Sequence, residues 1–298
     1  MRMDTAEILK KVRQIEIQTG KLVEETFAGE YLSAFKGQGI EFAEVREYIP
    51  GDDVRSIDWN VTARNHVPYV KKFNETRELT LMIACDVSAS QNFGSWSKFK
   101  QETAAELAAL FAFSALKNND KVGLLLFSDK VELFVPPKKG KKHILRLIRE
   151  LVAFEPTGTG TNLSLALTTL SKLIKHQGIL IFISDFLADV PTFAQPLQLA
   201  AKKFDLIPVV IQDKLEQKLP SVHAAVEMID PETHTRQLVS LSVAEINRIL
   251  TQRQQQWKEQ LDGLFHPLNI SAIEIDPSAS AVDPVIAFFK QRARKIRR

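Results

Sequence analysis

Three short segments, far apart in the chain, place oxygen donors beside apolar runs: Asp86-Val-Ser88-Ala-Ser90, Gly160-Thr161-Asn162 and Ser184-Asp185. Asp86, Ser88 and Ser90 stand at i, i+2 and i+4. That spacing lets one carboxylate and two hydroxyls face a common point in a loop. Thr161 follows Gly158-Thr-Gly160, a flexible stretch able to turn its hydroxyl inward. Together with Asp185 they offer two carboxylates and three hydroxyls. Such hard donors suit an octahedral Mg²⁺ at about 2.0–2.1 Å that keeps several waters, with Mn²⁺ or Ca²⁺ as alternatives. No Cys or His stands beside them, which argues against zinc. No catalytic base accompanies them either, so the set points to binding rather than turnover. A cation held by so few protein charges keeps an open position that a carboxylate of another molecule can fill. The plainer alternative is that Ser88 and Ser90 cap the next helix and the two aspartates only solvate a rim.

The surrounding pattern says what must position these groups. Leu79–Cys85, Val122–Phe127, Gly178–Ser184 and Asp205–Ile211 are continuous apolar runs, as expected of strands buried on both faces. Val131–Val135 reads as an edge hairpin partner. Pro208 places the Asp205–Ile211 strand at an edge or a strand end. Helical spacing is expected from Ser97, as N-cap, to about Leu116, and over His143–Ala153, Leu163–Lys175, Ser242–Leu264 and Val282–Arg292. Ile270–Ile275 is the last expected strand. Strands interleaved with helices predict an α/β fold with a doubly wound, mostly parallel sheet flanked by helices. Ligands of such sheets sit beyond the carboxyl ends of the strands, where Asp86 and Asp185 fall.

Residues 1–78 are expected to form a small N-terminal helical and irregular subdomain, and residues 79–298 the α/β domain, with an inserted hairpin near 213–241. Residues 5–26 have amphipathic helical spacing. The stretch that follows is rich in charge, glycine and aromatics. Arg46, Arg55 and Arg64 stand among Asp52, Asp53 and Asp58, beside Trp59. The plain reading is an ion-paired unit with Trp59, Tyr48 and Phe42 as its limited core. The functional reading is a partner-docking surface built from these seven residues, since Arg and aromatic side chains dominate interface hot spots.

Two resemblances follow from these residues. Asp86-x-Ser88-x-Ser90, then Thr161, then Asp185, is similar to the metal-ion-dependent adhesion site of von Willebrand factor A domains. That resemblance implies direct metal contacts from the first two hydroxyls, a Thr ligand in one state, and Asp residues acting directly or through water. The run from Gly39-Ile-Glu41-Phe42 through Glu44, Arg46, Tyr48, Pro50-Gly51-Asp52-Asp53, Arg55, Asp58-Trp59-Asn60 and Ala63-Arg64 resembles the signature of bacterial domain-of-unknown-function family 58. Members join this segment to a von Willebrand A-like domain and are often encoded beside MoxR-type AAA+ ATPases. The resemblance therefore implies a chaperone-like or assembly role with such an ATPase, or its client, as partner.

Other classes fit less well. A haloacid-dehalogenase-like, Mg²⁺-dependent phosphotransferase also carries an Asp after its first strand, but its acid two residues on is Ser88 here. A dinucleotide fingerprint needs glycines after the first strand, and Asp86-Val-Ser-Ala-Ser-Gln has none. Six scattered histidines and a mid-strand Cys85 supply no nucleophile motif. The chain has 298 residues, 45% hydrophobic and 25% charged, with a net charge of +3, too small to argue for nucleic acid. Lys138, Lys139, Lys141, Lys142 and His143 cluster, and the C-terminal run from Lys290 is basic; both read as solvated or as a patch for an acidic partner. No run approaches the roughly 18 apolar residues of a membrane span, and Met1-Arg-Met-Asp lacks a signal-peptide core, so a cytoplasmic protein is expected.

Overall fold

A computed structural model of the chain describes residues 5–23, 31, 34–35, 40–65, 67–75, 79–92, 99–217, 226–229, 236–239 and 243–296. Helix α1 spans Thr5–Leu22. Strands β1 (Ile40–Glu47) and β2 (Tyr69–Glu75) form an antiparallel ribbon enclosing helix α2 (Trp59–Asn65). The α/β core then runs β3 (Thr80–Asp86), α3 (Lys100–Lys117), β4 (Lys121–Phe127), β5 (Val131–Lys138), α4 (Lys141–Ala153) and α5 (Leu163–Leu173). It continues through β6 (Gly178–Ser184), α6 (Val190–Lys203), β7 (Phe204–Ile211) and the one-turn helix α7 (Lys214–Gln217). The hairpin β8 (Val226–Ile229) and β9 (Arg236–Val239), helix α8 (Val243–Phe265), β10 (Ile273–Ile275) and α9 (Val282–Ile296) complete it.

The six-stranded sheet has the order β10-β7-β6-β3-β4-β5, parallel except for β5 against β4. Numbered along the sheet's own strands this is 3-2-1-4-5-6. The order reverses between β3 and β6, so a crevice opens beyond their carboxyl ends. The α/β fold expected from the interleaved pattern is the one observed. Along β3, Leu81, Ile83 and Cys85 join the core shared with α1, α3, α4 and α9. Met82 and Ala84 join the core shared with α5, α6 and α8. The two-residue period of a strand thus feeds two apolar layers, and both are closed by helices. Cys85 is a buried free thiol, pushed up by burial and then by the Asp86 charge.

Several expectations need correction. Helix α1 was grouped with the charged segment, yet Val12 and the later Tyr31, Ala34 and Phe35 belong to the core of the α/β sheet. Trp59 is no core residue; it opens α2 with 67% of its surface exposed. Phe42's side chain lies outside the described residues, as do Ser97 and the hairpin loop 230–235. The charged segment is no irregular stretch, because its ends pair as the β1–β2 ladder. Pro208 lies in an interior strand, not an edge. Strand β10 pairs only with Val209–Ile211, so β7 has no ladder partner on that side at Pro208, where the missing N–H does no harm. Helix α6 was not anticipated. The basic C-terminal run is helical through Ile296, and Arg292 pairs with Asp205 while lying 5.2 Å from the Phe35 ring centre.

One contact in the sheet yields a direct prediction. A Cβ on Gly178 would lie 2.5 Å from the Thr80 carbonyl oxygen, a backbone atom that cannot swing away. Gly178→Ala must push β6 from β3, and we expect a loss of about 1–3 kcal/mol in urea unfolding, the usual scale for overpacking. An unchanged midpoint would contradict the close approach.

Candidate metal centre

Asp86 ends β3 and Asp185 directly follows β6, on neighbouring strands at the reversal, and each is only 2% exposed. Asp86 accepts a hydrogen bond from the Ser88 N–H at 2.9 Å and another from the Ser184 hydroxyl at 2.8 Å. The Ser88 and Ser90 hydroxyls stand 3.1 Å apart, and Ser90 donates to Asp185 Oδ2 at 3.1 Å. Asp86, Ser88, Ser90 and Asp185 therefore form one connected polar string across the rim.

Thr161 reaches the same rim through its loop. The Ala89 N–H, inside the Asp86–Ser90 turn, donates to the Thr159 carbonyl at 3.1 Å. Asn162 donates its N–H to the Ser128 carbonyl at 2.9 Å, and its side chain caps α5 by accepting from Leu165 N. The loop is further pinned by Glu132 of β5. That carboxylate accepts from the N–H groups of Gly158 (2.7 Å) and Thr157 (3.0 Å), the Thr157 hydroxyl (2.8 Å) and the Ser128 hydroxyl (2.8 Å). Burial pushes its pKa up, but these donors outweigh it and hold the group below its ordinary value. A Cβ on Gly158 would fall 1.9 Å from Asp129 Oδ1 and 2.2 Å from Ser128 Oγ, so either side chain would have to move to admit one.

The turn after Asp185 carries backbone strain. Phe186 sits at φ 55°, an unusual value for a bulky residue. Its ring is buried among Phe182, Phe193 and Phe265, and Trp257 donates its indole N–H to the Phe186 carbonyl at 2.8 Å. Packing thus enforces a conformation that costs on the order of 1 kcal/mol or more, as is common where a site must be aimed.

Two charged groups at this rim were not foreseen. Lys100, the first residue of α3, is fully buried, with its ammonium 3.2 Å from Asp185 Oδ2 and also on Glu216 of α7. Gln91 donates to the same Asp185 oxygen at 3.1 Å. Burial lowers the Lys100 pKa, but Asp185 and Glu216 together leave it above its ordinary value. Glu216 is raised, chiefly by burial, against the pull of Lys100. One signal in the sequence pointed to Lys100: a cation in the first turn of a helix opposes the helix dipole and needs a reason. Glu216 gave none.

Burial, then the nearby Asp185 charge, push Asp86 up to about 7, against hydrogen bonds from Ser88 and Ser184. The two buried carboxylates feel each other's charge, and Lys100 pairs with Asp185. Among the described residues no group of three or more His, Cys, Asp and Glu side chains is placed to hold a metal. A cation here would rest on two carboxylates, hydroxyls and water, which fits Mg²⁺ and leaves open positions.

That raised pKa fixes a pH dependence. The folded chain binds the Asp86 proton more tightly than the unfolded chain. The resulting cation-free stability is full below the ordinary value of 3.8 and is lost as pH rises through about 7. Mg²⁺ bound at Asp86 would displace that proton, so any stabilisation by Mg²⁺ should grow over the same window. Melting wild type and Asp86→Asn with and without Mg²⁺ across this range isolates the effect. Parallel curves would contradict it.

The charged ribbon residues do different work. Arg46 donates twice to Asp52, at 2.8 Å each, and Asp52 also accepts from the Ile49 N–H at 2.9 Å. The Arg46 bonds, first among its causes, hold the Asp52 carboxyl below its ordinary value. Asp53 caps the turn Val54–Ser56 through the Arg55 N–H, and Asp58 caps α2 through the N–H groups of Asn60 and Val61. Arg46, Asp52, Asp53 and Asp58 thus build the fold of the segment. Arg55, Trp59 and Arg64 present exposed side chains.

The strand order, the antiparallel edge strand and the oxygen-lined rim at the reversal define the class: a doubly wound α/β domain with a candidate ligand site at its switch point. Residues 44–259 match the family described as "Protein of unknown function DUF58", and the chain belongs to that family. An uncharacterized protein of Mycobacterium tuberculosis is 29% identical over 222 residues, covering 74% of this chain and 70% of the relative. Among solved structures, the chain is similar to an aerotolerance-related membrane protein from Bacteroides fragilis (15% identity, TM-score 0.47, 73% of this chain and 99% of that one). It is also similar to a von Willebrand factor type A protein from Catenulispora acidiphila (11% identity, TM-score 0.40, 76% of this chain and 43% of that one). Both scores lie below 0.5. Among the described residues no helix is long and apolar enough to cross a membrane.

Proposed function

We propose that the rim binds a divalent cation, Mg²⁺ by the hardness of its donors, and that the cation recruits an acidic residue of a partner protein. Asp86, Ser88, Ser90 and Thr161 would hold the ion, with Asp185 acting through Ser90 or water. The observation that carries this reading is the polar string from Asp86 through Ser88 and the half-buried Ser90 to Asp185, two buried carboxylates with hydroxyls between them. When bound, the cation supplies a Lewis-acidic position at the crevice mouth. The chain's own residues orient it, and the role we infer is binding rather than catalysis. The family resemblance makes a MoxR-type AAA+ ATPase, or its client, the partner class. An ATP-driven partner would put the pair in the cytoplasm.

Capture of partners by wild type and Asp86→Ala, in Mg²⁺ and in chelator, tests this. Wild type should retain a partner only in Mg²⁺, and Asp86→Ala in neither condition. Identical captures in all four arms would sink the reading. So would Mg²⁺-dependent hydrolysis of an aryl phosphate that disappears in Asp86→Ala, since that outcome assigns the rim to phosphoryl transfer.

A further inference from the structure

Strand β5 departs from a regular ladder at one point beside the rim. Leu133 pairs with Leu126 and Val131 with Phe127, so Glu132 is an extra residue with no opposite number on β4. A bulge of this kind bends the strand and re-aims a side chain. Here the Glu132 carboxylate meets the 157–162 loop as a two-oxygen acceptor. Oε1 accepts from the N–H groups of Thr157 and Gly158 and from the Ser128 hydroxyl, and Oε2 accepts from the Thr157 hydroxyl. A side-chain amide of the same shape would offer one acceptor oxygen and set an NH₂ group against the remaining donors. The far end of the loop is held by the same hairpin, since the Asn162 N–H donates to the Ser128 carbonyl at 2.9 Å. Between these two fixed points lie Thr159, Gly160 and Thr161. The Thr159 carbonyl accepts the Ala89 N–H at 3.1 Å, which draws the stretch against the Asp86–Ser90 turn.

Resting on the metal-binding reading above, we propose that Glu132 is a positioning residue for the cation site: from the bulge in β5 it fixes the 157–162 loop and so sets where the Thr161 hydroxyl stands relative to Asp86, Ser88 and Ser90. It acts through Thr161, neither as a ligand nor through its own charge. The edge strand then has a task beyond closing the sheet, because its bulge and the Ser128 carbonyl staple the loop at both ends. A ligand held on a loop needs such support from the group behind it, since a hydroxyl left to wander loses much of its worth to a metal.

Calorimetric titration of the full-length chain with Mn²⁺ tests this as a double-mutant cycle. Glu132→Gln should weaken binding by about tenfold, the lower end of what losing a group behind a ligand costs. Thr161→Ala should weaken it by at least as much. The double variant should bind no more than about twofold more weakly than Thr161→Ala alone, because Glu132 then has no ligand left to position. Losses that multiply in the double variant overturn the proposal, since they assign the effect to the carboxylate's charge. Unchanged affinity in Glu132→Gln overturns it too, since the staple then serves the loop alone. Thr157→Val removes only the hydroxyl donor to Oε2, at an exposed position, and should weaken binding in the same direction by less. It carries the test if Glu132→Gln does not fold, and unchanged binding in it then overturns the proposal. Hydrogen exchange reads the staple with no ion present: the Thr157 and Gly158 amides should exchange at least about tenfold faster in Glu132→Gln than in wild type. Equal rates overturn the proposal whatever the metal result. Absence of saturable Mn²⁺ binding in wild type, with the exchange difference intact, removes the metal reading instead and leaves the staple without a ligand to serve.

Discussion

Asp86→Ala should lose divalent-cation binding by on the order of a hundredfold or more. Displacing a group that merely orients a ligand already costs about 10–100-fold in metal affinity, and Asp86 is a direct ligand in the proposed site. The same substitution should change cation-free stability little near pH 8. It removes hydrogen bonds from Ser88 and Ser184, worth about 1 kcal/mol each, but also relieves the repulsion between two buried carboxylates. Thermal melts with and without Mg²⁺ separate the two effects. A variant that melts far below wild type in chelator would mean that Asp86 serves the fold rather than the ion.

Phe289→Ala should destabilise the chain by about 3–5 kcal/mol, the range for removing a large ring from a packed core. Phe289 is fully buried, and its ring lies 5.6 Å from Phe35, 6.1 Å from Phe111, 6.2 Å from Tyr31 and 5.3 Å from Phe288. It thus joins α9, α3 and the segment after α1 in one cluster. One turn on, Arg292 reaches over Phe35 to Asp205. Urea unfolding monitored by circular dichroism reads the loss. The folded fraction should keep wild-type cation affinity, because the rim residues take no part in the cluster. A small loss, below about 1 kcal/mol, would show that this packing is dispensable.

The strands that aim the site were legible because they are uninterrupted apolar runs, and their ends named Asp86 and Asp185 at once. The alternation of strands and helices gave the doubly wound, mostly parallel class, whereas the strand order came from the structure. Other parts were hidden for identifiable reasons. Helix α6 carries Pro191 in its first turn and Pro196 inside it, and these mask the buried spacing of Val190, Phe193, Leu197 and Ala200. The β1–β2 ladder is built from charged residues such as Glu41, Glu44, Lys71 and Lys72, so no apolar period marked it. Trp59 looked like a core aromatic by type, but Asp58 caps the helix that Trp59 begins and leaves the indole outside. Pro208 signalled an edge correctly in a local sense, since β10 starts one residue later. Lys100 and Glu216 could not be joined by spacing, because 116 positions separate them and only the fold brings them to Asp185.

These misses matter for function in one respect. The five residues supply the oxygen donors of the proposed site, and the buried Lys100 ammonium adds a charge beside them that the donors alone do not show. Reading the donors alone would make Asp185 an ordinary ligand. With Lys100 in place, Asp185 Oδ2 is already engaged by an ammonium that Glu216 shares.

In the proposed function this rim holds one divalent ion with a position open to a carboxylate. Water-proton relaxation of Mn²⁺ titrated with the full-length chain measures this directly. The enhancement should saturate at one ion per chain, vanish in Asp86→Ala, and drop when an acidic peptide displaces a coordinated water. An enhancement that never saturates, or one that Asp86→Ala leaves intact, would contradict it.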